Sequence, residues 1–404
     1  MIYPQVRARL LPCPRCGGTA TARRLFWQGI HICAESVCQS CWTELVADLP
    51  VGHSISYPCI VDLERGTVHG PGAGIDWWGG AFLESLLHPQ LDDSPRVEIQ
   101  RRRPASHVLL LNCLDFLYGH ALLKLLNAEV HRPDQDRREL VVVVPECLAW
   151  MVPICAAEVW AVGGSLKGMR EYSPALRRVL ESQLSRFTSV ALSSAFPHPA
   201  EFDISHFTGF QPHRQLEATD RISFIWREDR LWRQPAWCHS RLLRRFRPAA
   251  LFLAWQNRAI TRLFDALRGI YPLARFSVLG LGRSTCFPDW IDDQRVESFT
   301  RATEVAHCRA YSESRLVIGV HGSNLLLPSA HAWATLDLMP DERWNNMTED
   351  ILYQEPDPRL AAWRYRFVST DVEPMEAAKV AHEQLSGLEN HRLLYRTDAS
   401  NEEG

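Results

Sequence analysis

Residues 314–340, SRLVIGVHGSNLLLPSAHAWATLDLMP, constrain the fold of this chain more than any other stretch. Residues 315–320 are apolar and β-branched, which predicts a short buried strand, and residues 335–339 predict another. Between them the sequence predicts a turn at residues 321–324 and a helix over residues 325–333. A strand, a glycine turn, a short helix and a second strand form the repeating unit of a parallel sheet. We therefore expect an α/β fold.

The turn between these two strands is a candidate ligand site. Gly322 lets the backbone come close to a ligand because it has no Cβ. Ser323 or Asn324 is predicted to cap the following helix and to leave amide N–H groups pointing outward. A helix start of this kind binds anions, above all a diphosphate. The alternative is an ordinary strand-to-helix turn, since glycine turns are common in α/β proteins.

Other buried strands are predicted from short apolar runs. They are residues 107–111, 140–144, 158–162, 221–226 and 275–281. A chain of 404 residues with 46% hydrophobic residues is long enough for two or three domains with sizeable cores. The predicted divisions are a cysteine-rich module (1–60), a linker (61–105), a first α/β domain (106–215), a second α/β domain (216–345), and a C-terminal helix returning to the first domain with a disordered tail (346–404).

The N-terminal module carries two Cys-x-x-Cys pairs. They are formed by Cys13, Cys16, Cys38 and Cys41. Each pair places two thiolates at a tight turn, and two such turns with 21 residues between them close a tetrahedral zinc site of the zinc-ribbon or treble-clef kind. His31 and Cys33 lie close enough in sequence to replace one ligand. A four-cysteine site has no open position, so we expect Zn²⁺ in a structural role. Binding of the acceptor and binding of a partner are equally open as roles for the module.

The segment GVHGSNLLLPSAHAWATLDLMP resembles the GVHGAxLTNxxFLPPGAxVxEIxP signature of glycosyltransferase family 61 and the donor domains of related fucosyltransferase-type GT-B enzymes. It differs from the signature at Ser323, at the Leu326-Leu327 pair and at Asp337. The resemblance implies two Rossmann-like domains in a GT-B fold. It also implies that a nucleotide-sugar donor, UDP- or GDP-linked, binds the second domain. The residues we expect at the donor diphosphate are Arg227, Arg230, His321, Gly322, Ser323, Asn324 and Asp337.

Arg227 directly follows the predicted strand at residues 221–226, and it resembles the strand-end arginine of the fucosyltransferase-type donor domains. A guanidinium there can fork onto a diphosphate leaving group. Arg230 fits less well because it lies farther from the strand. The alternative is a solvated salt-bridge cluster within Arg-Glu-Asp-Arg.

In the first domain, DFLYGHALLKLLNA resembles the family's N-domain segment in which a Gly or Asn and a His begin a helix that faces the cleft. That resemblance makes His120 the first candidate for the general base, because an imidazole near neutrality accepts a proton from a hydroxyl. Asp115 and Glu146 follow predicted strands and are the competing bases, or they orient the imidazole. The alternative for His120 is a structural role at the helix start.

The expected activity is transfer of a sugar to an acceptor hydroxyl by direct displacement with inversion, with no divalent ion required at the leaving group. The acceptor is expected to be a saccharide or a protein, and a homo-oligomer is possible. A sugar-nucleotide epimerase of the same architecture is the rival enzyme, and a non-catalytic zinc-ribbon adaptor is the rival binding protein.

Charge and hydropathy limit the partners and the location. The net charge of −3 gives no general attraction to nucleic acid, so none is expected as a partner. No apolar run reaches the roughly 18 residues of a membrane span, and no signal peptide is recognised at the N-terminus. Twelve cysteines without a secretion signal favour reduced thiols, so a cytoplasmic location is expected. Residues 241–247 are basic and predicted to be mobile.

Overall fold

The computed structural model describes residues 11–72, 75–91, 95–131, 138–199, 201–213, 220–232, 249–349, 351–352, 354–355 and 357–394. The basic segment 241–247 and the polar tail from residue 397 lie outside the described residues. The chain divides into two compact units, Met1–Phe207 and Thr208–Gly404. None of the helices in the described ranges combines the length and the apolar character that a membrane crossing requires.

The first unit begins with a five-stranded antiparallel sheet in which each strand pairs with the next one in sequence. Its strands are β1 (Ala20–Trp27), β2 (Ile32–Cys38), β3 (Glu44–Asp48), β4 (Ile60–Asp62) and β5 (Thr67–His69). The register places Ala20 opposite Cys38. This pairing brings the first Cys-x-x-Cys turn, which precedes β1, beside the second one, which connects β2 to β3.

The second sheet of this unit is mostly parallel. Its strands are β6 (Val97–Arg101), β7 (His107–Asn112), β8 (Glu139–Pro145), β9 (Ala156–Val162) and β10 (Ser189–Leu192). The unit's helices are α1 (Gly80–Leu87), α2 (Tyr118–Leu126) and α3 (Pro174–Leu184), and the short helix α4 (Ser205–Thr208) spans the boundary to the second unit in sequence. The strand order is β10-β7-β8-β9-β6, with only β6 antiparallel to its neighbour. The chain reverses its direction of winding between β7 and β10.

The second unit contains a six-stranded parallel sheet. Its strands are β11 (Arg221–Trp226), β12 (Arg275–Leu281), β13 (Asp292–Val296), β14 (Ser314–Val320), β15 (Thr335–Met339) and β16 (Tyr365–Ser369), and its helices are α5 (Ala249–Ile270), α6 (Arg301–Ser312), α7 (Leu326–His331), α8 (Pro358–Arg364) and α9 (Pro374–Leu394). The order β13-β12-β11-β14-β15-β16 is that of a doubly wound Rossmann-like sheet, with its switch point between β11 and β14.

The core of this unit forms where α5 and α9 pack on the sheet. Every residue of β11 and β14 is buried, as expected for central strands covered on both faces. Phe264 of α5 and Ala381 of α9 join the same buried cluster as Phe224. The predicted fold class, α/β with two Rossmann-like domains and a small N-terminal cysteine module, is confirmed; the exact domain limits and a return of the C-terminal helix to the first domain stay predictions.

The sequence prediction of strands was incomplete. Strand β13 was missed because its sequence, Asp-Asp-Gln-Arg-Val, is polar. Arg295 is nevertheless buried, because its guanidinium pairs with Asp293 and stacks over the ring of Trp226 at 4.6 Å. Strands β6 and β10 were missed because they are short edge strands with partly exposed residues.

Candidate functional site

Two sequence-predicted segments meet at the switch point of the second unit. Strand β11 pairs directly with β14, and both end at the same edge of the sheet. Arg227 follows β11, and the loop of residues 321–324 follows β14. In doubly wound sheets this crevice, outside the carboxyl ends of the strands, is where ligands bind. The two segments that were predicted from sequence to contact the donor diphosphate therefore lie side by side.

The Arg227 side chain bridges the two strand ends. Its Nη1 donates to the carbonyl oxygen of His321 at 3.1 Å and to Oδ1 of Asn324 at 2.8 Å. Its Nε and Nη2 donate to the Asp229 carboxylate at 2.7 and 2.6 Å. These hydrogen bonds hold the pKa of Asp229 below its usual range. The planar fork of the guanidinium thus faces a carboxylate that is itself 72% exposed.

Arg230 approaches the same loop. Its Nη1 donates to the carbonyl oxygen of His321. Burial lowers the pKa of Arg230, and the positive charges of Arg227 and Arg343 lower it further. Three guanidinium groups are therefore close enough at this strand end to influence one another. The carboxylates of Asp229 and Glu342 act in the opposite direction and partly balance these charges. An anion that replaced the Asp229 carboxylate would meet the guanidinium groups directly.

Gly322 is required where these arginines converge. Its φ of +143° lies in the region that favours glycine. A Cβ at this position would lie 2.4 Å from Nη1 of Arg227 and 3.1 Å from Nη1 of Arg230. Any side chain here would displace the guanidinium groups from the loop. The glycine is thus explained by the close approach of two charged side chains.

The predicted capping of the helix after this turn is not observed. Residues Ser323–Leu325 form one turn of 3-10 helix before α7, and neither helix start has a side-chain cap. Asn324 Oδ1 is engaged by Arg227 instead, and Ser323 is exposed. Asn324 therefore binds Arg227 and does not cap the helix, and the short helix is stabilised by the packing of its buried residues.

His321 and Asp337 form a buried pair beneath the loop. Nδ1 of His321 lies 2.8 Å from Oδ2 of Asp337, and the Tyr365 hydroxyl donates to the same oxygen at 3.0 Å. Burial raises the pKa of Asp337. Both members of the pair are almost fully buried, so Asp337 orients His321 and the His321 carbonyl in turn receives the two arginines.

In the first unit, a second polar cluster lies at the switch point between β7 and β10. Asp115 follows β7 and is fully buried, with Oδ2 accepting from Nζ of Lys124 at 2.7 Å. Oδ1 of Asp115 lies 3.3 Å from Nδ1 of His120. Burial alone would raise the pKa of Asp115, but Lys124 and His120 outweigh it and leave the pKa below its usual range. Asp115 is therefore ionised.

His53 completes this cluster and was missed by the sequence analysis. Its Nε2 lies 3.2 Å from Nδ1 of His120. Burial, followed by the charge of Lys124, lowers the pKa of His53 to about 3, so its ring is neutral. The Gly52 amide donates to the carbonyl of Ser194 at 2.7 Å, which fixes the segment at the end of β10.

Two sequence signals bear on this cluster. Lys124 lies four residues after His120 in α2, so both project from one helix face, and a lysine within Leu-Leu-Lys-Leu-Leu is a detectable anomaly. No local pattern marks His53, because its place in the cluster depends on contacts that are distant in sequence. The third candidate base, Glu146, follows β8 at the same sheet edge, is exposed, and pairs with Arg96 at 2.8 Å.

The four predicted cysteine ligands come together. Sγ of Cys13 lies 3.6 Å from that of Cys41, and Sγ of Cys16 lies 3.4 Å from that of Cys38. All four sulfurs lie within 4.8 Å of one another and could hold a metal ion. Hydrogen bonding from Thr43 lowers the pKa of Cys41 to about 6. The Gly18 amide would lower the pKa of Cys16, but the Cys38 and Cys41 sulfurs outweigh it and raise that pKa to about 12.

The alternative ligands His31 and Cys33 have other roles. Nδ1 of His31 lies 2.7 Å from Oδ2 of Asp48, and its ring stacks on Phe82 at 4.3 Å. Cys33 is fully buried, and burial raises its pKa well above the usual value. Both residues belong to the packing of the antiparallel sheet.

Asp134-Gln-Asp136 has the spacing of the Asp-x-Asp motif of metal-dependent transferases. The prediction that the leaving group needs no divalent ion overlooked this motif. These residues lie outside the described ranges. Metal independence of the reaction therefore stays a prediction.

The comparisons with known proteins are sparse. No protein-family model matches the sequence, and no curated protein does. One similar solved structure is described as a UDP-N-acetylglucosamine 2-epimerase from Listeria monocytogenes. That match has 11% sequence identity and a TM-score of 0.28, and it covers 70% of this chain and 67% of that chain. A TM-score this low carries no argument about activity, so the functional assignment depends on the chain's own residues.

Proposed function

We propose that this chain is a glycosyltransferase that moves a sugar from a nucleotide-sugar donor to an acceptor hydroxyl. The observation that supports it is the convergence of Arg227 and Arg230 on the Gly322 loop at the switch point of a doubly wound sheet. Guanidinium forks match the geometry of phosphate oxygens. The resemblance to family 61 adds to this assignment.

In this proposal the donor diphosphate takes the place that the Asp229 carboxylate occupies on Arg227. The carboxylate holds Nε and Nη2 in the bidentate arrangement that a phosphate uses. Asp229 is largely exposed and can turn into solvent when a stronger anion arrives. Negative charge grows on the diphosphate as the sugar departs, so donors already fixed in place stabilise the transition state.

For proton removal we propose His120 as the base. Asp115 lies beside its Nδ1 and stabilises the imidazolium that forms when the ring takes a proton. His53 contacts the same nitrogen and is neutral, so it holds the ring without adding charge. Glu146 remains the alternative base. Attack by the deprotonated hydroxyl on the anomeric carbon would invert its configuration.

For the second unit we propose that Asp337 acts on the donor only through His321. The carboxylate fixes the ring and thereby the backbone of the loop.

We propose a UDP- or GDP-linked sugar as donor and a saccharide or protein as acceptor. A sugar-nucleotide epimerase is the alternative activity for the same site.

A nucleotide panel tests this proposal directly. The full chain should be warmed with UDP, GDP and dTDP, and the unfolding temperature recorded for each. Stabilisation by at least one diphosphate is expected, because a ligand that binds only the folded state raises its stability. No stabilisation by any nucleotide would leave the adaptor function as the better assignment.

Incubation of the corresponding UDP- or GDP-sugar without acceptor then distinguishes a glycosyltransferase from an epimerase. Slow hydrolysis to free sugar supports the transferase, and epimerised donor supports the epimerase.

Replacing Arg227 with alanine should weaken nucleotide affinity by about 2 kcal/mol, roughly 30-fold, because a charged hydrogen-bond partner of the diphosphate is lost. Replacing Asp229 with asparagine should instead tighten binding, because the competing carboxylate charge is removed. Isothermal titration with UDP or GDP measures both. Arg262→Ala, an exposed arginine on α5, is the matched control and should bind like the wild type. Equal affinities for all four proteins would remove Arg227 from the site.

We propose Zn²⁺ as the ion of the four-cysteine site, in a structural role. Elemental analysis of the purified protein should give about one zinc per chain, as a closed tetrahedral thiolate site predicts. Cys38→Ser should lose the metal, whereas Cys147→Ser, an exposed cysteine outside the cluster, should keep it. Equal zinc content in both variants would place the metal elsewhere.

A further inference from the structure

The two Cys-x-x-Cys turns share the same backbone hydrogen bonds but carry very different residues directly after the second cysteine. In the first, the Gly17 amide donates to the Cys13 carbonyl at 2.8 Å; in the second, the Trp42 amide donates to the Cys38 carbonyl at 3.0 Å. Gly17 has a φ of +72° and Trp42 a φ of +61°. Positive φ suits glycine and is strained for a bulky residue. The second turn thus has a tryptophan at the positive-φ position that glycine occupies in the first turn.

The strained tryptophan borders a cavity. The Trp42 side chain is 73% exposed and lines a cavity of about 730 Å³ beside the antiparallel sheet, within the first unit. Cavities of this size accommodate small-molecule or oligomeric ligands. An indole offers a large apolar face together with an N–H donor, which suits it to ligand contact, and here the backbone is strained as well. Both observations indicate a binding role for Trp42.

Charged side chains surround the same cavity in balanced pairs. Three arginines and three glutamates line it: Arg15, Arg23, Arg177, Glu35, Glu44 and Glu64. They pair with one another, Arg15 with Glu64 at 2.6 Å, Arg23 with Glu44 at 3.7 Å, and Arg177 with Glu35 at 3.8 Å. These side chains offer planar donors and acceptors, and the charges of the six balance. Arg15 and Arg177 also pair with Asp62 and Glu181, at 2.6 and 2.8 Å. A polyanion such as nucleic acid gains little from such a wall.

We propose that this cavity binds a neutral saccharide, with one pyranose ring stacked on Trp42. A sugar ring combines an apolar C–H face, which packs on an indole, with hydroxyl groups that bond to guanidinium and carboxylate edges. If the proposed function holds, on which this role rests, the site is an acceptor subsite carried by the cysteine module. The metal site fixes Trp42 because Cys41 directly precedes it.

Calorimetric titration of the full chain with neutral hexasaccharides of β-1,4-glucan, β-1,4-xylan, α-mannan and chitin tests the proposal. A hexauronate and a single-stranded oligothymidylate serve as charged ligands. At least one neutral saccharide should bind, and Trp42→Gly should weaken it by at least about tenfold, as expected when a central aromatic anchor is lost. Because glycine relieves the strained φ, this variant should unfold at the same or a higher temperature with unchanged zinc content. Trp255→Ala, an exposed tryptophan of α5, is the control and should bind like the wild type.

The proposal is overturned if no neutral saccharide binds at millimolar concentration, if Trp42→Gly binds as tightly as the wild type, or if a charged ligand binds more tightly. The outcome is separable from that of the donor site. Nucleotide binding without saccharide binding removes only the subsite, and saccharide binding without nucleotide binding removes only the proposed donor site.

Discussion

Replacing His120 with asparagine is expected to slow the proposed sugar transfer by about 10²- to 10⁴-fold, the usual contribution of a general base. Asparagine can keep a hydrogen bond to Asp115 but cannot accept a proton at neutral pH. Donor affinity should not change, because the proposed diphosphate contacts all come from the second unit. The rate is measured as transfer or as hydrolysis of the UDP- or GDP-sugar, and affinity by thermal shift with the nucleotide.

His107→Asn is the control for this experiment. His107 lies at the start of β7, is exposed, and contacts the Ser189 hydroxyl at 2.8 Å. Its replacement should leave the rate within about twofold of the wild type, as for most surface changes. If His120→Asn also retains a wild-type rate, the base is another residue, and Glu146→Gln becomes the next variant to measure.

Replacing Lys124 with methionine is expected to lower the free energy of unfolding by about 3–5 kcal/mol. Lys124 and Asp115 are both almost fully buried, and Nζ also donates to the Leu114 carbonyl at 3.0 Å. Methionine fills a similar volume but leaves the Asp115 carboxylate without its counter-charge. Urea denaturation followed by circular dichroism measures the loss.

The double variant Asp115→Asn, Lys124→Met should recover a large part of that stability, because it removes the uncompensated charge. The loss in Lys124→Met alone should also depend on pH. In the wild type the depressed pKa of Asp115 stabilises the fold above the unfolded value of about 3.9, and this contribution disappears as pH falls through the folded pKa. In the variant only His120 still opposes the effect of burial, so the pKa of Asp115 rises and protonation relieves the unpaired charge. The deficit should therefore be smaller near pH 5 than near pH 8, and a deficit independent of pH would contradict the ion-pair explanation.

The elements that sequence predicted well are those whose residues carry their own signal. Strand β11 has the predicted limits, and β14 differs from them by one residue, because continuous apolar and β-branched runs are typical of strands buried on both faces. The cysteine cluster followed from spacing alone, because each Cys-x-x-Cys pair forms a local turn.

The residues that sequence analysis missed, or described incompletely, depend on distant contacts. His53 enters the Asp115 cluster only because the antiparallel sheet places its segment at the end of β10. Asp337 was predicted at the donor, yet it is buried against His321 and Tyr365, which come from different strands or their ends. Arg295 shows that even a polar strand can be internal when its charge is paired.

The sequence by itself determined the parallel-sheet units and the four-cysteine cluster, and it selected Arg227 and the Gly322 loop as candidate site residues. Periodicity, spacing and turn chemistry are properties of neighbouring residues. Only the tertiary structure decided that β11 lies beside β14, that Lys124 neutralises Asp115, and that Trp42 borders a cavity. Strand order and burial arise from contacts between residues far apart in the chain. Those contacts form because they bury apolar surface and pair buried charges, which no short window of sequence records.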